Sequence, residues 1–165
     1  MDVSIRLANS GDIAAVDALL AYAYPKMLKE DYPPSVLVTA LPLISRAQPQ
    51  LVSGGSYFVA ETQDGQVVSA GGITADRQIR GKGHVRHVVT DPNFARQGIG
   101  RQLMTHALQF AAGKNMGTIE CWSTYTAERF YGSLGFVRLG LMEVPLQAGI
   151  TFPTVRMRLL LANET

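Results

Sequence analysis

Apolar and polar positions change period repeatedly along the 165-residue chain, and each change marks an element. Val3 to Leu7 alternates as a first strand. Asn9-Ser10-Gly11-Asp12 then supplies helix-capping chemistry, and Ile13, Val16, Leu19, Leu20 and Ala23 recur at helical spacing until Pro25, where the helix is expected to end. Tyr32-Pro33-Pro34 is a break. Val36 to Arg46 predicts a second helix interrupted by Pro42, and Ser53-Gly54-Gly55 a turn. Tyr57 to Thr62 and Val67 to Thr74 read as strands joined across Gln63-Asp64-Gly65-Gln66, a hairpin signal. His84 to Thr90 is the next strand. Ile99, Leu103, Ala107, Phe110 and Ala111 form one helical face, ended by Gly113. Thr118 to Ser123 reads as a strand, Thr126 to Leu134 as a helix, and Val137 to Val144 and Thr154 to Leu161 as strands flanking a Gln147 to Pro153 hairpin loop.

A meander of strands followed by alternation of strands and helices predicts an α/β chain with a mixed sheet and helices on both faces. The strand–helix–strand unit from His84 to Ser123 predicts two parallel strands with a right-handed crossover.

Composition narrows the class without naming a function. A length of 165 residues, 47% hydrophobic and 17% charged, predicts one domain over 1–165 with a full core. A formal charge of +2, with scattered Lys and Arg, gives no nucleic-acid signature. Cys121 is the only cysteine, so no intrachain disulfide can form. No signal peptide or membrane-spanning run is evident, and cytoplasmic residence without a membrane partner is the expectation.

The chemistry concentrates between His84 and Gly100, in HVRHVVTDPNFARQGIG. A strand stops at Asp91-Pro92, and a short loop leads through Gly98-Ile99-Gly100 directly into an amphipathic helix. Such a turn leaves backbone N–H groups unpaired and pointing one way, an anion site suited to a pyrophosphate. It differs from a dinucleotide-binding Rossmann turn, since Leu103 stands where a third glycine would fall and the chain's first strand does not feed the loop.

Three segments together resemble the GNAT N-acetyltransferase superfamily. TDPNFARQGIGRQLM is similar to its acetyl-CoA loop, (Arg or Gln)-x-x-Gly-x-(Gly or Ala). AERFYGSLGF resembles its A-x-x-F-Y-x-x-x-G-F helix and strand, and IRLANSGDIAAVDALL its first strand and helix. The resemblance covers nearly the whole chain. It implies a GNAT-like mixed, mostly antiparallel sheet of about six to seven strands, and acetyl-CoA as the acyl donor with no metal. It further implies a small-molecule amine as acceptor, and leaves a homodimer open. Backbone groups of Arg96, Gln97, Gly98, Ile99, Gly100 and Arg101 would cradle the pyrophosphate. The pantetheine arm would pair along Val88, Val89 and Thr90, and Thr124 would hydrogen-bond the cofactor where many members have Asn. Tyr131 would protonate the departing thiolate, and His84, standing where many members have Glu, would accept the amine proton. Ala95 replaces the loop's usual first Arg or Gln, which removes that side-chain contact.

Other readings compete. Gly98 and Gly100 alone suit any tight strand-to-helix turn. Tyr131 suits an amphipathic core aromatic, although it sits about a hundred degrees from Phe130 and so need not share its packing. His84 suits a strand end with no role. His84 and His87, three apart on a strand, are expected on opposite faces and so not as joint metal ligands. Cys121 is expected in the core. The acceptor stays open between a small molecule and a protein N-terminus or lysine, and the donor between acetyl and a longer acyl group. A CoA-binding sensor without turnover is the rival from another class. Residues 14–44, 79–83 and 147–153 are expected to shape the acceptor site, with Tyr22, Tyr24 and Tyr32 as a possible aromatic wall.

Overall fold

A computed structural model describes residues 2–161. Its centre is a seven-stranded sheet in the order β1-β2-β3-β4-β5-β7-β6. The strands are β1 (Ser4–Leu7), β2 (Tyr57–Glu61), β3 (Val67–Ala75), β4 (Lys82–Thr90), β5 (Thr118–Ser123), β6 (Val137–Gln147) and β7 (Ile150–Leu160). The helices are α1 (Ile13–Leu28), α2 (Pro34–Ile44), the single turn α3 (Pro49–Val52), α4 (Ile99–Gly113) and α5 (Glu128–Ser133). Neighbouring strands are antiparallel except β4 and β5, which α4 connects as a parallel pair.

Both faces of the sheet are covered, so its central strands carry apolar residues at consecutive positions. In β2, Phe58 and Ala60 pack with Leu103, Met104, Ala107 and Ala111 of α4. Their neighbours Tyr57 and Val59 pack on the other side with Val16, Leu19, Leu20 and Ala23 of α1. A third cluster joins Leu28, Leu37 and Ala40 to Tyr32 and Phe152.

Three departures from the pattern-based reading have local causes. Helix α1 runs through Pro25 to Leu28. The hydrogen bond lost there is offset by burying Leu28 and packing Tyr24 and Met27. The terminal hairpin turns in only two residues, Ala148 and Gly149, so the expected 147–153 loop is largely strand. Pro153 fits within β7 because β5 pairing ends at Ser123 opposite Val155, leaving no partner for the N–H that proline lacks. Lastly, β4 carries a bulge. Gly72 faces Arg86 and Ala70 faces Val89, so Gly71 opposes both His87 and Val88. His87 takes a φ of 45° there. A Cβ on Gly71 would lie 2.7 Å from Val88 Cγ2, so only glycine fits opposite the bulge.

Candidate active site

β4 and β5 pair only at Lys82–Thr118, Gly83–Ile119 and His84–Glu120, and then diverge. Beyond His84 the β5-facing edge of β4 has no strand partner. Cavities open on the parts of β4 exposed by this split.

One cavity, about 390 Å³, runs from the start of α4 to α5. It is lined by Val88, Val89 and Thr90 of β4, by Arg96, Gly98, Ile99, Gly100 and Arg101, and by Phe130 and Tyr131. Gly98 caps α4 with a φ of 76°, a conformation that favours glycine. The first bond of the helix ladder runs from the Gln102 N–H to the Gly98 carbonyl at 3.0 Å. The N–H groups of Ile99, Gly100 and Arg101 therefore precede the ladder at the positive end of a fifteen-residue helix. Gln97 is exposed on the same loop but does not line the cavity. The Arg101 guanidinium is held away by Ser133, donating to its hydroxyl at 2.8 Å. Upstream, the Val89 carbonyl accepts the Ser69 hydroxyl at 2.9 Å.

Tyr131 is buried at the inner wall of this cavity, edge-on to Phe130 (5.3 Å) and Phe136 (5.5 Å). It belongs to the same buried cluster against which Phe130 packs. Burial pushes its phenol well above the ordinary range, and the neighbouring Cys121 and Tyr24 add to that. Burial likewise pushes the Cys121 thiol up to about 12, which suits a core cysteine and not a nucleophile.

A second cavity, about 470 Å³, lies against Arg86 and His87 of β4. Tyr24, Leu43, Ile44 and Gln48 wall it on one side, Trp122 and Thr124 on another, and Val144, Pro145, Leu146 and Phe152 on a third. Thr124 opens on this second cavity, and its hydroxyl oxygen accepts the Ala127 N–H at 3.2 Å as a cap on the turn into α5. Tyr32 is taken up by packing, stacked on Tyr125 at 4.8 Å and on Phe152 at 4.6 Å. Tyr22 is exposed and accepts the Asn93 carboxamide at 2.9 Å. Of the three tyrosines, only Tyr24 lines the cavity.

His84 is placed in neither. It borders a third cavity, of about 570 Å³, with its Nε2 2.7 Å from Asp76 Oδ2. Asp76 Oδ1 accepts the N–H groups of Gln78 and Ile79, each at 2.8 Å. The His84 contact, then these backbone donors, hold the Asp76 carboxyl well below the usual carboxylate range. His87 does not take the face opposite His84: its Nε2 lies 3.3 Å from the Gln48 carboxamide, which also borders the His84 cavity. The bulge resets the alternation. Among the described residues, His87 Nδ1 is the buried side-chain polar atom without a hydrogen-bond partner. Burial, and then Arg86, lower the His87 pKa. Strand alternation gave no signal for this placement, since one extra residue in β4 undoes it.

The profile of the acetyltransferase (GNAT) domain family matches residues 29–161, and the chain belongs to that family. Its class is accordingly that of an acetyl-CoA-dependent acyltransferase. No curated protein matches the sequence. Solved structures share the fold. A GCN5-related N-acetyltransferase from Rhodopseudomonas palustris superposes with a TM-score of 0.81 at 16% identity, covering 98% of this chain and 97% of that one. An acetyltransferase from Salmonella typhimurium, solved with its cofactor acetyl-CoA, gives 0.71 at 20% identity, with 100% and 97% covered. The ribosomal-protein-S18-alanine N-acetyltransferase from Escherichia coli gives 0.68 at 17% identity, with 99% and 97% covered. Among the described residues no helix is long and apolar enough to cross a membrane, and no cluster of His, Cys, Asp or Glu could hold a metal.

Proposed function

We propose that the whole chain acts as one N-acetyltransferase domain, moving acetyl from acetyl-CoA to a primary amine on a small molecule by direct attack in a ternary complex. The observation that carries this reading is the 390 Å³ cavity, which is lined both by the start of α4 with its unladdered N–H groups and by Tyr131. Ile99, Gly100 and Arg101 donate to the pyrophosphate. Val88, Val89 and Thr90 present the free edge of β4 to the pantetheine arm as to an added strand, and one of their N–H groups polarises the acetyl carbonyl. Acetyl-CoA would supply a thioester whose carbonyl carbon bonds to the amine nitrogen as the C–S bond breaks and the CoA thiolate leaves.

Tyr131 gives its proton to the departing sulfur. The proton from the attacking nitrogen goes to His87, on whose side the acceptor cavity lies, and not to His84, which is engaged with Asp76. A base must be neutral to work, and burial favours neutral His87. Thr124, which lines the acceptor cavity, would hydrogen-bond the cofactor from that side.

A pocket of about 470 Å³ has the volume of a small-molecule site, which supports a small acceptor over a protein segment. Thiol release from acetyl-CoA, followed with and without a panel of amines, tests the reading. Amine-dependent release supports it. CoA binding with no release for any amine or peptide would favour a sensor instead.

A further inference from the structure

Resting on the acetyltransferase reading above, we infer that the acceptor carries a carboxylate as well as the amine, and that Arg86 receives that carboxylate. The sequence has fifteen Lys and Arg residues. Arg6, Arg46, Lys82, Arg138 and Arg156 lie within ion-pair distance of carboxylates. Lys26, Lys29, Arg77, Arg80, Arg96, Arg101, Lys114, Arg129 and Arg158 are exposed and solvated. Arg86 alone is neither: it is half-buried, and among the described residues no carboxylate pairs with it. Its Nε donates to Thr74 Oγ1 at 2.9 Å, which anchors the guanidinium and leaves the terminal nitrogens for another partner.

The surroundings of Arg86 select the ligand. It borders both the 470 Å³ cavity and the 570 Å³ cavity beside it. No Asp or Glu lines the first. In the second, Asp76 is consumed by His84 and two backbone N–H groups. Desolvation, and then Arg77, make the charged form of Arg86 less favourable than it would be in water; Asp76 offsets this only in part, and a bound anion would relieve the remaining cost. A carboxylate matches the guanidinium fork in shape and charge. Beside the neutral polar groups of Gln48, Thr124 and Thr154, much of the remaining wall is apolar: Leu43, Ile44, Val144, Pro145, Leu146 and Phe152. A polyamine would find no countercharge there, whereas an amino acid with an apolar side chain meets a partner for each of its parts.

The test uses the purified full chain, saturating acetyl-CoA and three matched acceptors for each of leucine, methionine and phenylalanine: the free amino acid, its carboxamide and the decarboxylated amine. The best acid should exceed its carboxamide and its amine in kcat/KM by about 10- to 100-fold, the scale of a charge-assisted hydrogen-bonded pair. Arg86→Gln should bring the acid down to the level of its carboxamide, leaving CoA affinity by calorimetry unchanged. Arg86→Lys should keep part of the preference. Equal use of acid and carboxamide by the wild type overturns the proposal, whether or not the variants fold. Equal loss on both substrates in Arg86→Gln also overturns it, as does a wild type that binds CoA yet neither acetylates nor binds any of the acids. A wild type that fails to bind CoA overturns the acetyltransferase reading itself, so calorimetry with CoA tells the two failures apart.

Discussion

The two cavities on β4 are built in different ways. On the donor side, Val88 to Thr90 and the first turn of α4 are nearly contiguous in sequence, and, Tyr131 apart, the groups offered are backbone N–H donors. On the acceptor side, Tyr24, Gln48, Arg86, Trp122, Val144 and Phe152 come from six separate stretches, and the groups given a role there, Arg86 and His87, act through their side chains. A site made of backbone tolerates change at all but its glycines and keeps one ligand. One made of scattered side chains can change ligand through single substitutions while the scaffold stays fixed.

That contrast can be broken by substitutions on either side. Tyr131→Phe should cost the most, lowering turnover by about 10³-fold at nearly unchanged CoA affinity, since only a proton donor is removed. Wild-type rates in a folded Tyr131→Phe protein would reassign the residue to packing. Gly98→Glu places bulk and negative charge at the α4 cap, and CoA affinity by calorimetry should fall by about 10²-fold or more. Gly98→Ala separates the strain at positive φ from the charge: it should weaken CoA far less. Unchanged affinity in Gly98→Glu would remove the phosphate assignment.

On the acceptor side, His87→Gln should slow turnover by about 10²-fold, the low end of acid–base effects, while His84→Gln changes it by only about 2-fold. With a depressed pKa, His87 is neutral at neutral pH and protonates only below the ordinary imidazole range near ~6.5. The acceptor amine's own titration gives one acid limb of the wild-type kcat/KM profile; a second, steeper limb should lie below ~6.5 and disappear in His87→Gln. A limb lost in His84→Gln instead would return the base to His84.

The smallest effect concerns stability at the sheet's junction. Glu120 is buried against Lys82, Arg156 and the Trp122 indole N–H, which donates at 3.0 Å. Burial opposes its ionisation, yet the Arg156, Lys82 and Trp122 contacts outweigh it and pull the carboxyl from 4.5 down to about 2. A depressed folded pKa contributes stability above 4.5 that is lost as pH falls toward 2. Glu120→Gln should lower Tm by several degrees at pH 7, with the gap to wild type closing across that acidic window. Because Glu120 also holds Trp122, the variant should raise the acceptor KM more than the CoA Kd. A gap independent of pH would place the loss in packing and not in charge.

What could be read in the sequence follows the same division. The Asp91-Pro92 stop, Gly98-Ile99-Gly100 and the Phe130-Tyr131 pair are local signals, and the donor cavity that contains most of them is built, Met27 apart, within one strand–helix unit and the segment that leads into and forms α5. The acceptor cavity depends on long-range events that leave no local mark. Pro25 does not end α1, so Tyr24 and Met27 stay in register with the core. Pro153 stays within a strand because β5 has already ended beside it. The bulge opposite Gly71 turns His87 toward Gln48 when strict alternation places it on the other face. A period of two has no room for the extra residue, so neither His87 nor Arg86 stood out as a site residue.

The short seam between β4 and β5 has a consequence for how the protein breathes. Three residue pairs are all the strand pairing that joins β1–β4 to β5–β7–β6, so the sheet is two leaves stapled at one end. On the proposed reading the pantetheine arm lies along the open edge as a missing strand, and occupancy then adds RT ln(1 + [L]/Kd) to the folded state. Within β4, amides of 85–90 on the open edge should exchange faster in the free chain than those facing β3, and should be the first to slow as CoA is added. The donor is thus also the clasp of the sheet, and the protein should be at its most heat-labile after product has left.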